Sequence, residues 1–241
     1  MKRLMLLSVF LILAVLAGTA QASLEVIGTA TYQGQDYKLI YMDDGPFGPV
    51  TWLDYTNDPD DWQNQVDWAT NLGELEVSLY EGYILNQSAG WRLPEVDESQ
   101  ANLSGINNGY AGPDGNGYHD YRTGFNMVNG EMGYLFYEEL GNRGFRDTSG
   151  NSQSGYGLTD PGKFEHLQSY SYWSGTEYDA NHAWEFEFHN GGQYNPNSFN
   201  EIYGIAVLPG TVSSVPLPGA FILFGSAIAV LAAFKRKNLR K

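Results

Sequence analysis

Hydrophobic and polar positions first alternate with a period of two. The runs Glu25-Val26-Ile27-Gly28-Thr29-Ala30-Thr31-Tyr32 and Tyr37-Lys38-Leu39-Ile40-Tyr41-Met42 are rich in β-branched and aromatic residues. With Gln33-Gly34-Gln35-Asp36 between them, they predict two strands of an opening hairpin. After the turn-rich stretch 43–49, the run Val50-Thr51-Trp52-Leu53-Asp54-Tyr55 predicts a further strand. The period then changes. Trp62, Val66, Ala69 and Leu72 recur at helical spacing, so 62–72 predicts a helix with Asp60 or Asp61 as its N-cap. Residues 75–85 predict a strand weakened by Gly82. A second helix is expected over 131–140, where Met132, Leu135, Phe136 and Leu140 share one face and Gly141 follows as a terminator. Residues 102–129 between the helices read as Gly- and Asn-rich loop. Alternation returns in 171–174, 183–188 and 203–207, which predict three strands of a half-buried antiparallel sheet. Hairpins, two short helices and a terminal sheet together predict an α+β domain.

The two ends carry different patterns. Lys2 and Arg3 precede an apolar run over 4–17, and Ala20 and Ala22 form a small-residue cleavage site before Ser23. This order predicts a secretory signal peptide over 1–22, removed by signal peptidase, and a mature chain beginning at Ser23. Near the other end, 219–234 is apolar, and as a helix it would reach about 24 Å, slightly short of a hydrocarbon core. The basic cluster Lys235, Arg236, Lys237, Arg240 and Lys241 follows it, which predicts a cytoplasmic C-terminus with the body outside. Ahead of this segment stand Val215, Pro216, Leu217 and Pro218, whose prolines hold the backbone extended and stop any helix from running into the body. An extended segment is what a processing protease can thread.

Proline motif, short apolar helix and basic end, in that order, resemble the PEP-CTERM sorting signal read by exosortase-type membrane transpeptidases. The resemblance implies a sorting tail over 213–241, with export across the inner membrane, anchoring through the tail, and then residence at the cell surface or in the extracellular matrix. The proline motif departs from the family's Pro-Glu-Pro by having Leu217 between its prolines. A plain single-span anchor has the same topology.

Composition narrows what the body, 23–212, can do. The chain has 241 residues and no Cys, so neither disulfides, a thiol nucleophile nor Cys-ligated zinc is available. Its net charge is −15, but seven of the 13 basic residues lie in the two ends. The other six face all 28 acidic residues, which leaves the body at −22. Such a body repels nucleic acid and anionic membrane surfaces, so no nucleic-acid partner is expected.

A second set of motifs runs through the body. Thr51-Trp52, Gly90-Trp91-Arg92-Leu93-Pro94, Glu131-Met132-Gly133-Tyr134-Leu135-Phe136-Tyr137, Tyr172-Trp173-Ser174-Gly175-Thr176-Glu177 and Ala206-Val207-Leu208-Pro209-Gly210 occur in that order. In this order they resemble the Lcl C-terminal domain family over about 41–210. The resemblance implies a fold similar to the formylglycine-generating enzymes and, more distantly, to C-type lectin-like domains. It implies a scaffold rather than an activity, because the oxidase chemistry needs cysteine thiolates. Leu208 stands where that family commonly has Arg.

Candidate chemistry is sparse, and no enzymatic activity is expected. Trp91, Arg92, Leu93 and Pro94 read as a structural motif, with Trp91 and Leu93 packed, Arg92 paired with a carboxylate and Pro94 ending a strand. His119, His166, His182 and His189 have no metalloprotease spacing. Tyr118-His119-Asp120 and many serines permit a hydrolase triad, but no Gly-x-Ser-x-Gly elbow is present. Asp114, Asn116 and Asp120 offer oxygens for calcium in a lectin-like module, with 57–61 as a weaker set; a solvated Gly-rich turn is the competing reading. Trp173, Glu177, Trp184 and Glu185 are the first candidates for stacking on and hydrogen-bonding a surface polysaccharide, against core packing on an alternating sheet. The expectation is a non-enzymatic surface or matrix protein with an adhesive role, or alternatively a calcium-assisted carbohydrate-binding module.

Overall fold

The computed structural model describes residues 24–98 and 123–214. The expected signal peptide with Ala20, Ala22 and Ser23, the oxygen-rich segment with Asp114, Asn116 and Asp120, and the expected sorting tail with Val215, Pro216, Leu217 and Pro218 lie outside them. Among the described residues no helix is long and apolar enough to cross a membrane.

The described chain is mostly antiparallel sheet with two short helices, an α+β fold. The opening hairpin pairs β1 (Glu25–Tyr32) with β2 (Gln35–Met42) in a register that ends at Tyr32 opposite Gln35. Its two turn residues, Gln33 and Gly34, both have positive φ, 50° and 78°. That is the conformation whose twist matches two right-twisted strands, and glycine takes it without steric cost. Next come β3 (Val50–Leu53), β4 (Asn57–Asp60) and α1 (Trp62–Thr70), which continues into a 3₁₀ turn over Asn71–Glu74. Asp61 is the N-cap of α1, accepting from the Asn64 N–H at 2.9 Å.

Residues 75–85 were expected as one strand, and the chain instead makes two, β5 (Glu76–Leu79) and β6 (Tyr83–Gln87). Gly82, at φ 96°, allows the reversal between them. After the short β7 (Gly124–Phe125), the second expected helix begins as α2 (Glu131–Tyr134) and widens into a π-helical turn over Leu135–Glu139. There the Leu140 N–H donates to Leu135 O at 2.9 Å, five residues back. Leu135 and Phe136 stay buried through the widened turn, and Gly141 closes it at φ 63°.

The last strands are β8 (Ser171–Asp179), β9 (His182–Glu187), β10 (Gly192–Tyr194), β11 (Ile202–Gly204) and β12 (Val207–Ser214). The expected three-stranded antiparallel unit is rearranged in two ways. β11 pairs with β8 in parallel, and Val207 begins a strand of the other sheet. One six-stranded sheet has the order β5-β1-β2-β3-β12-β6, the other β4-β11-β8-β9-β10-β7.

The central strands of both sheets, such as β3 and β9, are covered on both faces, which is why their sequences are more continuously apolar than a half-buried strand requires. Ile40, Met42, Val50, Trp52, Tyr172, Phe186 and Phe188 point into one apolar cluster. Leu39, Leu53, Trp173 and Ala183, of opposite parity, point into a second. α2 and its π-turn contribute Met132, Leu135 and Phe136 to the first cluster, and α1 contributes Ala69 to the second.

The Trp91-Arg92-Leu93-Pro94 segment joins these parts without being a full strand. Trp91 and Leu93 are buried in the second cluster, and Arg92 exchanges backbone hydrogen bonds with Val207 at 3.0 and 2.8 Å. The Arg92 guanidinium grips the buried Glu131 carboxylate with two hydrogen bonds, 2.7 and 2.9 Å. Glu131 also accepts from the Glu95 N–H at 2.7 Å. Burial works against the Arg92 charge, yet the Glu131 carboxylate outweighs it and holds the guanidinium pKa above its ordinary value. Pro94 ends no regular strand; its carbonyl accepts from Gly175 N–H at 2.7 Å.

Candidate functional site

The chain leaves the first sheet at Leu53 and enters the second at Asn57, crossing through Asp54, Tyr55 and Thr56. A cavity of about 290 Å³ opens beside this crossing. Tyr37 and Tyr55 line it from the side of the first sheet, and Tyr170 and Tyr203 from the side of the second. Tyr55 meets Tyr37 edge to face at 4.9 Å, and Tyr32 at the same distance. Tyr170 and Tyr203 are stacked, with centroids 4.8 Å apart and planes within 10°. Tyr170 is 50% exposed, so its ring remains open to solvent.

Polar groups interrupt the aromatic lining. Thr56, Asp58, His166 and Gln168 all reach the cavity. Burial, then the neighbouring Tyr32, Asp58 and Tyr37, raises the Tyr55 pKa above its ordinary value. Burial likewise pushes Tyr172, just beneath, up to about 12. These phenols are therefore neutral at physiological pH and serve as hydrogen-bonding groups.

A buried carboxylate positions one wall. Asp54 is fully buried, and its Oδ2 and Oδ1 accept from the backbone N–H groups of Glu165 and His166 at 2.9 and 3.0 Å. The His166 ring lies with Nδ1 3.4 Å from Asp54 Oδ2 and edge to face with Tyr37 at 5.1 Å. Thr56 Oγ1 donates to the His166 carbonyl at 2.6 Å, and the Tyr172 hydroxyl accepts from Gln168 N–H at 2.8 Å. Phe164 and Leu167 anchor the same loop in the first apolar cluster. The loop that carries His166, Gln168 and Tyr170 is thus held by side chains far away in sequence.

Asp54, Glu165 and His166 each bring one ligand atom within 4.8 Å of the others, which is the spacing of a metal site. The donors are otherwise engaged. Both Asp54 oxygens already accept backbone N–H groups, and Glu165 pairs with Lys38 Nζ at 2.8 Å. The Lys38 hydrogen bond, then its charge, holds the Glu165 pKa below its ordinary value. The arrangement fits a loop anchor whose positive charge comes from lysine.

Of the candidate residues for touching a polysaccharide, Trp173, Trp184 and Glu185 come together on β8 and β9, with Trp173 opposite Glu185, but inside the protein rather than at its surface. Trp173 and Trp184 are fully buried, because β8 and β9 lie inside the second sheet and are covered on both faces. Their indole N–H groups donate to Asp60 O at 3.1 Å and to Glu98 Oε1 at 2.8 Å. A sugar ring cannot stack on either indole, and core packing explains both. Glu185 is buried too, and burial followed by the charge of Glu187 pushes its pKa up to about 8. Glu177 alone of the four is exposed, in a separate recess of about 240 Å³ with Trp62 and Phe199. The weaker oxygen-rich set at 57–61 forms β4 and the cap of α1, where Asp60 and Asp61 both accept from Asn64.

No protein-family model matches the chain, and neither a curated protein nor a solved structure matches it.

Proposed function

We propose that this chain is an exported, non-enzymatic surface or matrix protein, delivered by its leader and sorted by its exosortase-type tail, whose body contacts glycans through the tyrosine cleft. The observation that carries the glycan reading is the cavity between Tyr37, Tyr55, Tyr170 and Tyr203, in which an exposed ring lies beside hydroxyl, amide, imidazole and carboxylate groups. Aromatic faces accept the apolar C–H face of a pyranose, and the polar groups match its hydroxyls. The lectin-like likeness of the sequence motifs agrees with this reading, and calcium would enter it only through Asp114, Asn116 and Asp120.

The sorting half is tested by intact mass and fractionation of the protein from cells with and without a functional exosortase. A product ending near Val215 only in the competent strain is expected; retention of 219–241 in both would overturn it. The binding half is tested on a glycan array, with and without a chelator. Selective binding is expected, and a flat array would sink the glycan reading. Loss of that binding in the chelator would move the contact to a calcium site.

A further inference from the structure

We propose, resting on the glycan reading above, that the cleft selects sugars bearing a free amino group, with the ammonium held by Asp58. Among the side chains lining the cavity there is one carboxylate, Asp58, and neither lysine nor arginine. Asp58 is exposed. Its position in the sheet is secured through its backbone, where Asp58 O accepts from Gln65 Nε2 at 2.7 Å. Its carboxylate lies close enough to the cavity for its charge to act on the Tyr55 phenol, another lining group.

Lys38, which pairs with Glu165 next to the lining His166, is committed there at 2.8 Å and to the Lys163 carbonyl at 3.2 Å. Among the described residues of the lining, a uronic or sulfated sugar would meet Asp58 with no guanidinium or ammonium to receive it, and the His166 ring has its Nδ1 turned to Asp54 at 3.4 Å, whereas anion recognition relies on such donors. A protonated amine meets the opposite conditions. Tyrosine ring faces carry negative potential, and together with a carboxylate they attract a cation. The body's excess of acidic residues draws polycations toward the surface from a distance. The class of ligand is accordingly a de-N-acetylated hexosamine glycan.

Short glucosamine oligomers, N-acetylglucosamine oligomers and glucuronate-containing oligomers of equal length are titrated into the full chain, at a pH that keeps the amines protonated. The wild type should bind the glucosamine series roughly five- to tenfold more tightly than the acetylated one, a preference of the size that one exposed ion pair plus a cation–π contact supplies. Asp58→Asn should bring the affinity for the glucosamine series down to that for the acetylated series and so remove the preference, whereas Tyr170→Ala should weaken both series in the same proportion. Equal binding of both series, lost in Tyr170→Ala, would overturn the amino-sugar inference and leave the cleft reading standing. A glucosamine preference that survives Asp58→Asn would assign the attraction to overall charge and overturn the site. Binding of none of the three series would overturn both readings.

Discussion

Individual buried charges decide much of this molecule's stability. Glu131 is fully buried and its carboxylate is shared between Arg92 and the Glu95 N–H. Removing Glu131 leaves the partly buried Arg92 with Glu95, 3.4 Å from Nε, as its remaining carboxylate, so Glu131→Ala should cost about 3 kcal/mol in denaturant unfolding, the low end for a broken buried pair. The double change Arg92→Met with Glu131→Leu should recover part of that loss, since it also removes the guanidinium that Glu131 no longer neutralises. Glu185 behaves differently. Its pKa is raised from 4.5 to about 8, so between those values the folded state holds a proton that the unfolded chain has released. Stability is therefore greatest below the lower value and falls as pH rises, by up to about 1.4 kcal/mol per unit for one proton. Glu139, pushed up to about 7 by burial and by Asp44, acts in the same direction. Unfolding midpoints measured from pH 5 to 8 should fall in the wild type and fall less steeply in Glu185→Gln, and parallel slopes would refute the assignment.

At the scale of elements, local pattern and tertiary context divide the explanation. The hairpin β1–β2 was legible because alternation and a Gly-bearing turn are local signals, and the same holds for α1 with its Asp61 cap. Pairing of Arg92 with a carboxylate was expected, but nothing in the sequence singled out Glu131. The strand pattern around Trp173 and Trp184 was legible, and of the two readings it left open, sugar stacking and core packing, the structure shows core packing. Period-two alternation reports a sheet but does not say whether its second face is covered; here Trp173 packs in the cluster shared by α1 and the first sheet, and Trp184 meets Tyr178 and Glu98. The cleft escaped sequence reading for a related reason. Tyr37, Asp58, His166 and Tyr203 come from four separate segments, and only the crossing at 54–56 brings them together. The one local hint was the polar, turn-prone stretch directly after the β3 pattern. Close approach, too, is invisible in sequence. A Cβ on Gly133 would lie 2.0 Å from the Met127 carbonyl, so α2 sits tightly on the preceding loop. Gly133→Ala should lower stability by roughly 1–3 kcal/mol, read as a shifted denaturant midpoint with an unchanged slope.

Across the whole molecule, the order of the sheets ties the two ends of the body together. β12, the last strand, lies between β3 and β6, pairing Val207 with Trp52 and Val212 with Leu85. The last described strand is therefore embedded in the sheet that the N-terminal hairpin begins. The body's surface is acidic, its interior aromatic, and its cavity tyrosine-lined at the junction of the sheets. Binding through that junction is the central claim, and the exposed face of Tyr170 is its most accessible part. The decisive measurement is the affinity of wild type and Tyr170→Ala for the glycan selected on the array, with thermal unfolding of both proteins followed in parallel. A loss of roughly tenfold is expected, since stacking a sugar on one ring contributes on the order of 1 kcal/mol or slightly more. The unfolding midpoint should stay in place, because the ring is half exposed. Equal affinities in the two proteins would contradict the account.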